Sequence, residues 1–169
     1  MLFPFEIHNA SAFDKLLPQD KAVLMDRARF VQAASLRGAL ALPLKGKNLG
    51  LLCDEDNADG DSQELFRRAA TELGAHVAVI RPALSSLGSP AEIQHTARIL
   101  GRFYNAVECQ GVPPEIVRQI GQAAGIPVYD GIACANHPTA AFAPLLGDRT
   151  APADNRRFVL QALLLGSVA

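Results

Sequence analysis

Paired cysteines, charge of one sign and long apolar runs are all missing from this chain of 169 residues. The three cysteines, Cys53, Cys109 and Cys134, stand far apart and form no CxxC pair. Neither a zinc ribbon nor a thioredoxin-type redox site is therefore supported. An odd cysteine count in apolar surroundings fits a reducing compartment. The 16 basic residues against 17 acidic ones leave a net charge of -1, which gives no electrostatic case for a nucleic-acid partner. The longest apolar stretch, near Phe158 to Leu165, is broken by Gln161 and falls far short of the roughly 20 residues that a membrane span needs. The start, MLFPFEIHNASAF, has neither the basic opening nor the apolar run of a signal peptide. The expectation is a cytoplasmic protein without a membrane segment. No internal repeat and no low-complexity tract is present.

What the chain does have is an ordinary apolar share, 49%, and 20% charged residues. That suits one compact domain and excludes global disorder. Residues 1–43 read as a helical N-terminal segment. Pro18 fits a first helical turn, and Val23, Leu24, Ala28, Val31 and Ala34 recur at helical spacing. Leu40 to Leu44, with Pro43, reads as a connector. Short apolar runs then alternate with helix-like segments. The strand candidates are LGLLC (49–53), HVAVIR (76–81), NAVEC (105–109) and IPVYD (126–130). A helix candidate starts near Ser62 and carries Leu65, Phe66, Ala69, Ala70 and Leu73 on one stripe, with Gly74 to end it. Another opens on Ser89-Pro90-Ala91-Glu92, a capping box, and runs to about Arg102. A third follows Pro113 and Pro114. Two more cover 137–146 and 154–166, the last capped by Asp154. Strands alternating with helices predict an α/β fold with a four-stranded parallel sheet between helical layers.

In such a sheet ligands sit at the C-terminal strand ends, here 54–61, 82–89, 110–113 and 130–137. The first of these, DEDNADGD, holds five carboxylates: Asp54, Glu55, Asp56, Asp59 and Asp61. One reading is a solvated turn in which Asp61 caps the next helix and Glu64 closes a box. The other is a cation loop, with Glu55, Asn57, Asp59 and Asp61 as oxygen donors, although the closing bidentate position falls on Phe66. The loop is no anion cradle: no Lys or Arg lies between Lys47 and Arg67, and acids in front of a helix N-terminus oppose the binding of phosphate. The loops 82–89 and 110–113 carry no chemistry, Gln110-Gly111 being uncharged. His137-Pro138-Thr139 opens a helix, where a lone histidine is a structural or capping group more often than a catalytic one. His76 and His95 read as packing or surface residues. No Ser/His/Asp set and no His/Cys metal cluster is visible.

Several segments together resemble the aspartate/ornithine carbamoyltransferase family: LKGKNLGLL (44–52), TELGAHVAVI (71–80), HTARILGRFYNAV (95–107) and GIPVYDGIACANHPTAAFAPLL (125–146). ADNRRFVLQALL (153–164) resembles the family's final helix, whose stripe of Phe158, Leu160, Ala162 and Leu163 would cover an apolar face. The resemblance implies one domain over 1–169, with a βαβ core at 44–147 and a returning helix at 153–166. It is the carbamoyl-phosphate-binding domain, closed by that C-terminal helix, with the second domain absent. It also implies a homotrimer and no cofactor. The family's phosphate-binding motif, Ser-Thr-Arg-Thr-Arg, maps onto Asp59, Gly60, Asp61, Ser62 and Gln63, so both arginines are replaced. Its Arg-Thr pair maps onto Gln110-Gly111. The loop lent by a neighbouring subunit maps near Ser86. In the His-Pro-x-Gln motif His137 and Pro138 remain, while Ala140 stands for Gln. The reading that follows is a degenerate carbamoyltransferase-like domain, not an enzyme, that serves as an assembly or regulatory partner of other proteins. Two alternatives remain open. One is a repurposed acidic pocket in which Asp59, Asp61 and His137 take a cation or cationic small molecule. The other is residual carbamoyl transfer in amino-acid metabolism.

Overall fold

A computed structural model describes residues 9–54, 59–83 and 87–168. A short 3₁₀ turn, Ala10–Lys15, precedes helix α1 (Pro18–Leu36). The chain then alternates: β1 (Asn48–Cys53), α2 (Gly60–Glu72), β2 (His76–Ile80), α3 (Pro90–Phe103), β3 (Ala106–Gln110), α4 (Pro114–Ala124) and β4 (Val128–Asp130). A 3₁₀ stretch, Pro138–Leu146, and helix α5 (Pro152–Ser167) follow. The four strands are parallel, in the order β2-β1-β3-β4. The strand order reverses between β1 and β3, which opens a crevice at their C-terminal ends.

Alternation along each strand divides the core in two. Leu49, Leu51 and Cys53 of β1, Ala106 of β3 and Tyr129 of β4 face α1, α2 and α5. Leu52, Val107, Cys109 and Val128 face α3 and α4. Strands buried on both sides read as the unbroken apolar runs seen in the sequence. Helix α5 is nearly engulfed, with Asn155 and every residue from Arg157 to Leu164 buried. Gln161 donates to the Ala69 carbonyl at 3.2 Å, and Arg157 meets the Glu72 carboxylate at 2.8 Å, so α5 is tied to α2. Helices α3 and α4 touch at Gly101, where a Cβ would lie 2.1 Å from the Ala124 carbonyl oxygen.

Local signals placed most element ends. Ser89 caps α3 by accepting the Glu92 N–H at 3.3 Å, and Gly74 leaves α2 with φ +94°. Four expectations need correction. Val23 is exposed, not part of the buried stripe of α1. The cap of α2 is Asp59 and not Asp61: its side chain accepts the Asp61 N–H at 3.0 Å. Helix α5 starts at Pro152 after an uncapped Ala151, and Asp154 lies inside the first turn, bound to Arg157 at 2.6 Å. The stretch 138–146 is 3₁₀, not α-helical. Pro144 inside it has no N–H to give an α-helical ladder, and tight turns are the way such a segment stays helical.

Candidate functional site

The crevice between β1 and β3 is roofed by the start of α2. A helix N-terminus offers free N–H groups and a positive dipole end to an anion. Here Asp59 holds that position. Besides the Asp61 N–H, its carboxylate accepts the Ser62 hydroxyl at 2.6 Å. These bonds, the Ser62 one foremost, hold its pKa below the usual carboxylate range. Gly60 and Asp61 are exposed, Ser62 is buried and Gln63 is half-buried. Gln110, at the end of β3, is 2% exposed and turned inward. Its amide donates to the Ser62 carbonyl at 3.1 Å and to Glu108 at 3.4 Å. The structure therefore brings Asp59, Ser62 and Gln110 into one hydrogen-bonded chain, in which the buried Gln110 Oε1 makes no hydrogen bond. Ser86, Glu55 and Asn57 lie outside the described residues. Among the described residues no group of three or more His, Cys, Asp or Glu side chains is placed to hold a metal.

Beneath this chain lies a feature that sequence reasoning passed over. Glu108 is wholly buried in the middle of β3. Its two oxygens accept the N–H groups of Ile132 and Ala133 at 3.1 and 3.0 Å. Burial outweighs those bonds and pushes its pKa up to about 8. Glu108 thereby pins the loop after β4, which leads to His137. From the other side Arg156, on α5, donates to the carbonyls of Ile132 and Cys134 and to the Thr139 hydroxyl. Burial lowers the Arg156 pKa to about 10, against the pull of Glu108. The one charged residue in NAVEC was the available signal, because a carboxyl inside a strand buried on both faces must have dedicated partners. Nothing distinguished Arg156 from its neighbour Arg157.

His137 is 4% exposed. Its Nδ1 accepts the Thr139 N–H at 3.2 Å and lies 2.8 Å from the Thr139 hydroxyl, so it caps the 3₁₀ stretch. Its Nε2 is buried and makes no hydrogen bond. The ring meets Phe13 edge-on, with centroids 4.8 Å apart at 67°. Burial and Arg156 lower its pKa to about 3, so the ring is neutral. No hydrogen bond among the described residues joins His137 to Asp59 or Asp61. His76 and His95 are exposed.

Two cavities adjoin this network. One, of about 290 Å³, lies at the ends of β3 and β4, lined by Ala10, Cys109, Asp130, Cys134 and His137 among others. The other, of about 670 Å³, lies between the 3₁₀ stretch and α5 and is lined in part by Ala140, Arg149, Thr150 and Arg156. All three cysteines are free. Burial raises their thiol pKa values, that of Cys134 to about 11, so they are weak nucleophiles at neutral pH.

No protein-family model matches the chain. Comparison with individual proteins decides the matter. Over 123 residues, 73% of its length, the chain is 35% identical to an ornithine carbamoyltransferase of Actinobacillus pleuropneumoniae serotype 5b. Over 144 residues, 84% of its length, it is 33% identical to a catabolic ornithine carbamoyltransferase of Pseudomonas putida. The chain carries a partial carbamoyltransferase-family domain. It spans 36% and 42% of the length of these two relatives. Its fold matches the crystal structure of the ornithine carbamoyltransferase from Burkholderia thailandensis, with a TM-score of 0.67 over 79% of this chain and 46% of that one. Sequence identity there is 16%, so that likeness is one of fold. The four-stranded parallel sheet flanked by helices is thus the carbamoyltransferase fold. No helix among the described residues is long and apolar enough to cross a membrane.

Proposed function

We propose that this carbamoyltransferase-family domain does not bind carbamoyl phosphate and acts as an oligomeric assembly or regulatory partner. One observation carries the reading: the Asp59 carboxylate occupies the N-terminus of α2, already bonded to Asp61 and Ser62. A phosphate arriving there meets a fixed negative charge where a relative would need a positive one. Gln110 reinforces the point. It takes the place that the resemblance gives to an arginine, and its amide is turned into the fold. A charged bidentate donor at such a place typically contributes about 1.5–3 kcal/mol. Exposed apolar side chains on β2 and α3, Val79, Ile99 and Phe103, support an interaction role. By resemblance the assembly is a homotrimer. Calorimetric titration with carbamoyl phosphate, with inorganic phosphate as control, tests the first half: no heat at millimolar ligand is expected, and specific micromolar binding overturns it. Sedimentation tests the second: a clean monomer at micromolar concentration, with no partner captured, overturns it.

A further inference from the structure

We propose that helix α1 is a docking surface for a second copy of this chain, packed antiparallel to it across a twofold axis near the middle of the helix. α1 carries two stripes, and the fold uses one of them. Leu24, Ala28 and Val31 lie in the core. One residue before each stand Val23, Arg27 and Phe30. Extended at the same alternation of three and four residues, this second stripe reads Asp20, Val23, Arg27, Phe30, Ala34 and Arg37. That is the spacing at which two helices pack side by side, and it lies about 100° round the helix from the core stripe. Val23 is 44% exposed and Phe30 68%. Apolar side chains turned to solvent along one line of a helix mark an interaction surface. The charges say what covers it. The stripe is acidic at its start and basic at its end. Asp20 and Arg37 form no ion pair among the described residues, whereas Asp26 is already held by Arg29 at 3.2 Å. A twofold axis sets the same patch of both copies face to face. With α1 antiparallel to itself, Asp20 of each copy meets Arg37 of the other and Val23 meets Ala34. Phe30 meets the half-buried Arg27, where a guanidinium against an aromatic ring is favourable. A parallel arrangement would instead set Asp20 against Asp20 and Arg37 against Arg37.

The surface has a place for the incoming side chain. An apolar groove of about 100 Å³ runs beside Ala34, lined by Phe30, Leu40 and Leu165 among others. Val23 of the second copy, opposite Ala34, comes to that groove. Sedimentation of the whole chain at micromolar concentration reads the mass. The native assembly should hold an even number of copies, and Phe30→Asp should halve its mass, whether the twofold contact joins single chains or trimers. Val23→Asp should do the same, and since both positions face solvent, circular dichroism should show an unchanged fold. Charge reversal then tests the pairing. Asp20→Arg and Arg37→Asp, each alone, set like charges at both ends of the contact and should weaken association about tenfold. The two variants mixed in equal amounts should associate as the native chain does, because each end regains opposite charges. A native monomer overturns the proposal. So does a native trimer, which would leave a threefold assembly standing, or a mass that neither Phe30→Asp nor Val23→Asp changes. Halved mass in those variants without rescue in the mixture overturns it as well.

Discussion

Stability should have a flat top between about pH 4.5 and 6.5, and Glu108→Gln should remove its alkaline shoulder. The folded pKa of Glu108 is about 8, against 4.5 for the free side chain. Between those values the folded state holds a proton that the unfolded chain has released, so stability falls as pH rises. His137 works the other way. Its folded pKa is about 3, against 6.5, so stability rises with pH over that interval. Each slope is about 1.4 kcal/mol per pH unit. Where the intervals overlap the two cancel. From 6.5 to 8 Glu108 acts alone and removes about 2 kcal/mol. From 4.5 down to 3 His137 removes a similar amount. Glutamine keeps an oxygen for one of the two N–H groups of Ile132 and Ala133 but sets its NH₂ against the other, a pH-independent cost of about 1–3 kcal/mol. Urea midpoints at half-unit steps from pH 4 to 9 would measure both proteins. The difference between them cancels Asp59, Asp130 and every other shared group. It should change by as much as about 5 kcal/mol between pH 4.5 and 8, with the variant gaining on the native chain as pH rises. A constant difference would refute the view that burial, rather than the two N–H donors, controls this carboxyl.

Gly101→Ala should destabilise strongly, since the new methyl carbon would lie 2.1 Å from the Ala124 carbonyl oxygen. Overpacking of about 1–3 kcal/mol or more outweighs a helix-propensity gain of up to about 1 kcal/mol, which lowers the urea midpoint. Gly60→Ala, with nothing within 4 Å of the new carbon, is the neutral control. Asp59→Ala should lower the melting temperature and speed amide exchange in the first turn of α2, whereas Asp59→Asn should preserve both, because asparagine caps about as well. Glu72→Ala should cost about 3 kcal/mol in a chemical melt. It removes a partner of Arg157, whose side chain is 7% exposed, and leaves that charge to Asp154 alone.

Periodicity and capping chemistry made the frame of the fold legible. The apolar run at 49–53 became β1, buried on both faces, whereas the run at 76–81 became β2, an edge strand whose residues are half-buried or exposed. The Ser89 box and Gly74 marked real helix ends. The failures were local contests. Asp59 and Asp61 both suit a helix start, and two residues of register decided which one capped. At 138–146 the apolar pattern of a helix was present, but Pro144 inside it has no N–H to give and the stretch keeps the tighter turn. The acidic loop read as hostile to anions, and in the fold its Asp59 caps α2. Glu108 was visible only as the one charged residue in an apolar run, and nothing set Arg156 apart from Arg157: the loop held between them takes shape only once β3 and α5 have met.

The two core faces differ in how far along the chain their parts lie. The face under α3 and α4 draws on Leu87 to Val128, with only Ile80 and Leu52 from further away. The face under α1, α2 and α5 must bring Phe13 and Leu24 against Leu160 and Leu163. Closing a long loop costs more entropy than closing a short one, and contacts between distant residues slow folding. The α3-β3-α4-β4 segment should therefore gain protection first in pulse-labelled refolding. The docking of α5 against α1 should be the late, rate-limiting event.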